Sequence, residues 1–420
     1  KTTYSSKGDD FHVENLYLKN IQIKINIWFR LTLWLPFCAG SETVASYFWP
    51  KVLGDQMRTE IDEENELFRE TTRKWVDKQF PKAWCRELES KEHEFPQAFW
   101  DKLVDYGAHG IGIPEEYGGL GGTITMQSIF AREIARTAGG LSWIWGVTSF
   151  SGSKAIGYCG TEDQKQKYLP LIAEGKLKTA MSYTEPGGGT DLLGGMKTSA
   201  QKTDGGWRLN GEKIWSTLAS NADYLLVLAR SDREVAKRSD GISMFFVPAA
   251  SEGITMTELP KLGMRAASSC SVYLEDVFVP DELLLGEEGK GWYTSLKPLN
   301  NERLVNAATC LGMLDGVLED AVEHLKTRNA FGGPIGRFQA LQHYVADIAM
   351  WQKQGELMVH HTARLQEEGA PNAVESAMVK TLCSEYASKA ADLGISILGG
   401  MGYSAETDMQ RYWRDSRLLR

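Results

Sequence analysis

After residue 60 the apolar positions fall at helical spacing. Leu67, Phe68, Trp75, Val76 and Phe80 recur with charges between them, as on a helix with one buried stripe. The helical period continues to about Ile172, broken by the glycine-rich run Ile113-Pro-Glu-Glu-Tyr-Gly-Gly-Leu-Gly-Gly122, which reads as a turn. The period then changes. Residues 181–285 hold short β-rich runs: Trp207-Arg-Leu, Tyr224-Leu-Leu-Val-Leu, Ile242-Ser-Met-Phe-Phe-Val, Ser271-Val-Tyr-Leu and Val277-Phe-Val. Asn210-Gly211, lying between apolar runs, predicts a hairpin turn at that point. From Gly291 helical spacing returns. Leu311, Leu314, Leu318, Ala321 and Leu325 form one stripe, and Leu341, Val345 and Ile348 begin another.

Helices, then strands, then helices indicate an α+β chain of segregated domains, not a wound parallel sheet. The expected domains are an N-terminal helical domain over 57–180, a small middle β-barrel or sandwich over 181–288, and a C-terminal four-helix-type bundle over 289–420. Residues 1–56 read as an atypical extension, with Met57 near the natural start. Within it, Ile27–Gly40 is apolar but interrupted by Arg30 and Pro36, and it is too short to span a bilayer. The flanking Lys19, Lys24 and Cys38-Ala-Gly give it a partial likeness to a secretory leader. An amphipathic membrane contact is the sharper alternative.

Charge narrows the partners. The 420 residues carry 46 Lys plus Arg against 55 Asp plus Glu, a formal net charge of −9. A mildly acidic chain is not expected to bind nucleic acid through its global field, so an anionic ligand needs a local site. The 6 cysteines are scattered without a CxxC pair, which points to a reduced compartment: the cytoplasm, or the mitochondrial matrix in a eukaryote. The 7 histidines lack ligand spacing, so no metal site is expected. The adjacent His360 and His361 are expected on the surface of a helix. No GxGxxG follows a strand, so a Rossmann dinucleotide site is not supported.

The most informative segment is Tyr183-Thr-Glu-Pro-Gly-Gly-Gly-Thr-Asp-Leu-Leu-Gly194, at the helical-to-β junction. Its glycines let the backbone approach a flat ligand or a phosphate, and Thr184 and Thr190 add hydroxyl donors. Composition alone fits a tight interdomain turn equally well. The residue order resembles the flavin-binding signature of acyl-CoA dehydrogenases. The resemblance extends over nearly all of residues 60–420. It continues through Ile113-Pro-Glu-Glu-Tyr-Gly-Gly, Gly160-Thr-Glu-Asp-Gln-Lys-Gln-Lys-Tyr-Leu-Pro, Leu209-Asn-Gly-Glu-Lys-Ile-Trp-Ser-Thr, Asn301-Glu-Arg, Arg328-Asn-Ala-Phe-Gly, Arg337-Phe-Gln and Ile397-Leu-Gly-Gly-Met-Gly-Tyr.

The resemblance implies FAD as cofactor, an acyl-CoA substrate, an electron-transfer flavoprotein as redox partner and a homo-oligomer, dimer or tetramer. It assigns the signature's Tyr183 and Thr184 to the flavin, with Thr184 near the nitrogen that receives hydride, where a donor stabilises developing charge. It places Trp215 against the ring system, with Ser216 and Thr217 beside it; core packing is an equally good use of a strand tryptophan. Arg328, Phe331 and Gln339 are similar to contacts with the adenosine-diphosphate half of FAD, as is the turn Ser396, Ile397, Leu398, Gly399, Gly400. In the family both groups come from a neighbouring subunit. Arg suits phosphate through its bidentate fork. Thr190, Asn300 and Arg303 are assigned to the acyl-CoA side.

The implied reaction needs a carboxylate that takes the α-proton while hydride leaves the β-carbon, and burial beside flavin and thioester would raise its pKa. In most of the family that Glu follows an Arg-Asp segment similar to Arg414-Asp415, which places it past Arg420. One branch places it where the sequence reads Glu-Arg, and Glu302-Arg303 stands there. Both positions stay open, as does a plain helix-end carboxylate at Glu302. Four readings follow: dehydrogenation to 2-enoyl-CoA, enoyl-CoA reduction of the crotonobetainyl-CoA type, an oxidase or monooxygenase on the same fold, and a non-catalytic flavin-binding or assembly subunit.

Overall fold

The computed structural model describes residues 61–91 and 94–420. The apolar run Ile27–Gly40 and the proposed start at Met57 lie outside the described residues.

The N-terminal layer is helical: α1 Glu63–Gln79, α2 Lys82–Ser90, α3 Gln97–Tyr106, α4 Ile124–Thr137, α5 Gly139–Trp145, a π-helical turn Gly146–Gly152, α6 Ser153–Cys159 and α7 Glu162–Ala173. Helix α1 packs Phe68, Trp75 and Val76 on the core and leaves Leu67 exposed, so the stripe read from the sequence begins one residue too early. Helix α7 starts at a capping box, Thr161 with Gln164, which satisfies two orphan amides reciprocally. The Gln164 carboxamide also donates to the Glu282 and Leu284 carbonyls at 2.8 and 2.9 Å. One cap thereby ties the helical layer to the sheet.

The middle layer contains β1 Thr179–Ser182, the helical turn α8 Leu192–Gly195, then β2 Ser199–Thr203, β3 Gly206–Thr217, β4 Tyr224–Arg230, β5 Ile242–Pro248, β6 Ile254–Glu258, β7 Ser269–Pro280 and β8 Leu284–Leu285. They form one 8-stranded sheet in the order β6-β7-β3-β2-β4-β5-β8, with β1 added parallel to β4. The hairpin is not at Asn210-Gly211. Strand β3 runs straight through that pair, and the turn is Asp204-Gly205, with Thr203 opposite Gly206. Gly205 supplies the positive φ, 70°, that a two-residue turn demands. Asn210 instead sits beside a register shift, where its Oδ1 accepts the Asp276 amide at 2.8 Å. Likewise the two runs Ser271–Leu274 and Val277–Val279 are one strand, β7.

The C-terminal layer contains α9 Gly291–Thr327, the short strands β9 Asn329–Ala330 and β10 Gly333–Pro334, then α10 Gln339–Glu367, α11 Ala373–Leu398 and α12 Met409–Leu419. Helix α9 has 37 residues, a length of about 55 Å. It passes through Pro298, which cannot donate to the carbonyl of Thr294. The thiol of Cys159 donates to that carbonyl instead, at 3.5 Å. Arg132 of α4 fixes the helix against its neighbours, donating to Asp315 of α9 at 2.7 Å and Glu356 of α10 at 2.9 Å. His360 and His361 of α10 are half-buried, not on the open surface. Helices α1–α5 share one apolar core with the C-terminal helices, and the sheet shares a second with α6 and α7. Among the described residues no helix is long and apolar enough to cross a membrane, and no cluster of side chains is placed to hold a metal ion.

Candidate active site

A cavity of about 420 Å³ opens where the three layers meet. Helix α5 and the π-helical turn contribute Ser142, Trp143, Gly146, Val147, Phe150 and Ser151. The junction contributes Met181, Tyr183, Thr184, Gly189, Thr190 and Leu192. Strand β3 adds Ile214, Trp215 and Thr217, and α9 adds Trp292, Leu299, Glu302, Val305, Asn306 and Thr309.

Among the described residues Glu302 is the single charged side chain on this wall. Burial pushes its carboxyl from the ordinary 4.5 up to about 7, against opposing hydrogen bonds from Ser151 and Asn306 and the charge of Arg303. An acid poised near neutrality can take or give a proton at working pH.

The β3 side is shaped by a bulge. Lys213 pairs with Val272 and Ser216 with Cys270, so one extra residue is inserted between them. Up to Lys213 the inward positions alternate regularly: Trp207, Leu209 and Lys213 are buried. Trp215 has the same parity, yet its backbone is left-handed, φ 61°, and its side chain is 55% exposed on the cavity rim. A non-glycine residue there stores strain on the order of 1–3 kcal/mol, and the bulge is what turns the indole out. Ser216 takes the inward place, is fully buried, and its hydroxyl has no partner among the described residues.

Beneath the glycine-rich segment lies a buried ion pair that the sequence reading missed. The Lys213 ammonium is 2.8 Å from Glu185 Oε1 and 3.3 Å from the Tyr183 carbonyl. Glu185 also accepts the amides of Lys197 and Thr198 at 2.6 and 3.0 Å. Burial pushes its carboxyl up, but the Lys213 ammonium and these bonds outweigh that and hold it below its ordinary value. The Thr184 carbonyl accepts the Ile214 amide at 2.9 Å. Together these bonds fasten the segment to β3 on both sides of Thr184. The one sequence signal is a lysine at an inward position of a strand.

The expected site residues separate into two groups. Tyr183, Thr184, Thr190, Trp215, Thr217 and Glu302 converge on the cavity. The Ser216 side chain, Asn300 and Arg303 do not line it. Arg303 donates to Asn300 Oδ1 at 2.6 Å on the exposed flank of α9. Arg328 caps the far end of α9, 26 residues from Glu302 and so about 39 Å away along the helix. Phe331 stands in the β9–β10 loop, 88% exposed, and Gln339 opens α10. Ser396, Ile397 and Leu398 end α11, where Gly399 and Gly400 begin the next turn. Arg414 and Asp415 brace the loop between β6 and β7: Arg414 donates to the Leu262 carbonyl at 2.9 Å, and Asp415 accepts the Met264 amide at 2.5 Å.

A helical layer, a β layer and a helical bundle, closed on one cavity with a neutral-range carboxyl in its wall, define the class, and comparison with known proteins gives it a family. The family model "Acyl-CoA dehydrogenase, N-terminal domain" matches residues 62–176, its middle-domain counterpart 180–277, and its C-terminal counterpart 289–420. The chain is 35% identical over 363 residues to the mitochondrial isovaleryl-CoA dehydrogenase of Oryza sativa subsp. japonica, covering 86% of this chain and 87% of that one. It is also 35% identical over 361 residues to the caffeyl-CoA reductase-Etf complex subunit CarC of Acetobacterium woodii, covering 86% and 94%. The structure of butyryl-CoA dehydrogenase from Megasphaera elsdenii superposes with a TM-score of 0.80 at 30% identity, covering 86% of this chain and 94% of that one. The chain belongs to the acyl-CoA dehydrogenase family. It is an enzyme of that kind, an oxidoreductase of a flavin-dependent family.

Proposed function

We propose that the protein binds FAD at the Thr184–Trp215 side of the cavity and catalyses α,β-dehydrogenation of an acyl-CoA thioester to the 2-enoyl-CoA, passing electrons to an electron-transfer flavoprotein. The observation that carries this reading is Glu302: a carboxyl raised to about 7 by burial, on the same cavity as the glycine-rich segment. The residues present fit a flat cofactor. A Cβ at Gly187 or Gly189 would meet nothing within 4 Å, so the backbone there is open to close approach. The bound flavin supplies the hydride acceptor. Glu302 takes the α-proton on its carboxylate. Val147, Phe150, Leu299 and Val305 give the wall an apolar lining, which excludes water and strengthens electrostatic interactions inside. Thr184, Trp215 and Thr217 hold the cofactor, Thr190 faces the acyl-CoA, and Asn300 and Arg303, outside the cavity, are left for the CoA portion. Arg328, Phe331, Gln339 and the Ser396–Gly400 turn serve the cofactor of a neighbouring subunit; the roughly 39 Å of helix between Glu302 and Arg328 supports that reading.

The reverse reaction is the second reading. A carboxyl near 7 is part protonated at neutral pH and returns a proton to the α-carbon as readily as it removes one. A relative at 35% identity is named a caffeyl-CoA reductase-Etf complex subunit. The test is anaerobic mixing of FAD-loaded protein with a panel of acyl-CoAs while following flavin absorbance. Bleaching by some acyl-CoA is the expected result, and none by any sinks the proposal. Prereduced protein reoxidised anaerobically by an enoyl-CoA, with no bleaching by its saturated partner, assigns the reductase direction.

A further inference from the structure

The cavity does not stay apolar beyond the base. Helix α9 turns Glu302, Val305, Asn306 and Thr309 toward it, one face of the helix at i, i+3, i+4 and i+7. Thr309 therefore lies two turns past the base, about 10 Å along the axis. Opposite it, Ser142 of α5 is 3.0 Å from Thr309 Oγ1 and 3.2 Å from the Ala131 carbonyl. A serine hydroxyl has one proton. With that proton on the Ala131 carbonyl, Thr309 donates to Ser142, and the Thr309 oxygen keeps a free lone pair. One turn nearer the base, the Asn306 carboxamide stands on the same wall. The buried indole N–H of Trp143, another lining residue, has no acceptor among the described residues.

Ser142, Thr309 and Asn306 are bonded within the protein, but a plain hydrocarbon tail would leave the Trp143 indole N–H without an acceptor and the spare Thr309 lone pair without a donor, and buried polar groups are disfavoured unless hydrogen-bonded. Among the described residues the wall offers no cation for a tail carboxylate and no carboxylate but Glu302 for a tail ammonium. Burying either ion unpaired is strongly disfavoured.

We infer that the acyl group taken by this site carries an uncharged hydrogen-bonding substituent, a hydroxyl or its equivalent, placed to reach the Thr309–Ser142 pair. The inference rests on the acyl-CoA reading above and deepens it. The test uses FAD-loaded Glu302→Gln protein, in which bound substrate turns over slowly, and calorimetric Kd values for acyl-CoAs matched in length with and without a terminal hydroxyl. At one chain length the hydroxylated partner is expected to bind about tenfold or more tightly. Adding Thr309→Val erases that preference and leaves the unsubstituted partner bound as before or tighter; Asn306→Leu, read separately, does so in part. Equal or better binding of the unsubstituted acyl-CoA at every length overturns the inference. So does a terminal carboxylate or ammonium binding tightest, or an equal loss for both partners in Thr309→Val. If that variant does not fold, the matched pairs on the parent protein decide alone. Should no acyl-CoA bind, and none bleach the native flavoprotein, the acyl-CoA reading falls and this inference with it. Bleaching without hydroxyl preference removes the inference only.

Discussion

The two walls of the cavity are built by opposite means. The α9 wall is regular helix, and its chemistry sits on side chains that the helical period alone brings into line: Glu302, Asn306 and Thr309. The β wall works through its backbone. A bulge, a left-handed Trp215 and open glycines shape it, and a buried Lys213–Glu185 pair holds it from behind. The α9 wall should therefore tolerate changes that add bulk in open space and fail when one functional group is lost. The β wall should fail when its supports or its bare backbone are altered.

The largest effect is expected on the α9 wall. Glu302→Gln keeps fold and cofactor but slows flavin reduction by on the order of 10²–10⁴, the usual loss of a general base. Stopped-flow reduction checks it, and an unchanged rate would assign Glu302 a structural role. The matching loss on the β wall appears in stability. Lys213→Met leaves the Glu185 carboxylate buried and uncompensated, a destabilisation of about 3–5 kcal/mol. Urea unfolding of this variant beside a Lys213→Met/Glu185→Gln double variant measures it; the double variant recovers most of the loss if the pair is the cause.

A pH profile sharpens the contrast further. Because Glu302 must be ionised to accept a proton, kcat/KM for dehydrogenation rises about tenfold per pH unit below about 7 and levels off above it. Asn306→Leu removes a hydrogen bond that lowers the carboxyl's pKa, so the inflection moves upward. The stability linkage has the matching sign. The folded value lies above the ordinary 4.5, so stabilisation of the neutral acid is complete below 4.5 and is lost as pH rises through about 7. The smallest effect is Gly146→Ala. Its Cβ meets nothing within 4 Å, so the helical turn gains at most about 1 kcal/mol, while the cavity narrows and the bulkiest acyl-CoAs lose rate. Gly195→Ala is the control on the β side: its Cβ would lie 2.4 Å from the Gly188 Cα, and thermal unfolding should drop.

The helix–strand–helix order was legible because period and composition change sharply near residues 180 and 290, and those changes reflect burial directly. Thr184 and Glu302 were legible because short segments carry them. The hairpin was misplaced because Asn-Gly and Asp-Gly give the same turn signal, and only strand pairing shows which of them is spent on a bulge. Lys213 was missed for another reason. A lysine in a strand normally faces solvent, and the carboxylate that makes its burial tolerable lies 28 positions away. Trp215 was expected at the cavity, but nothing local in Lys213-Ile-Trp-Ser announces the positive φ that puts it there.

The proline in the long helix has a consequence for traffic into the cavity. At Pro298 the ladder of α9 lacks one rung, and a sulfhydryl from α6 stands in for it. A helix bends most readily where such a rung is missing. The stretch Gly291–Lys297, with Trp292 at the cavity edge, is seated on β5 through Gly291 and buries Ser295, so a bend at Pro298 would carry Trp292 and that edge of the sheet together relative to Glu302.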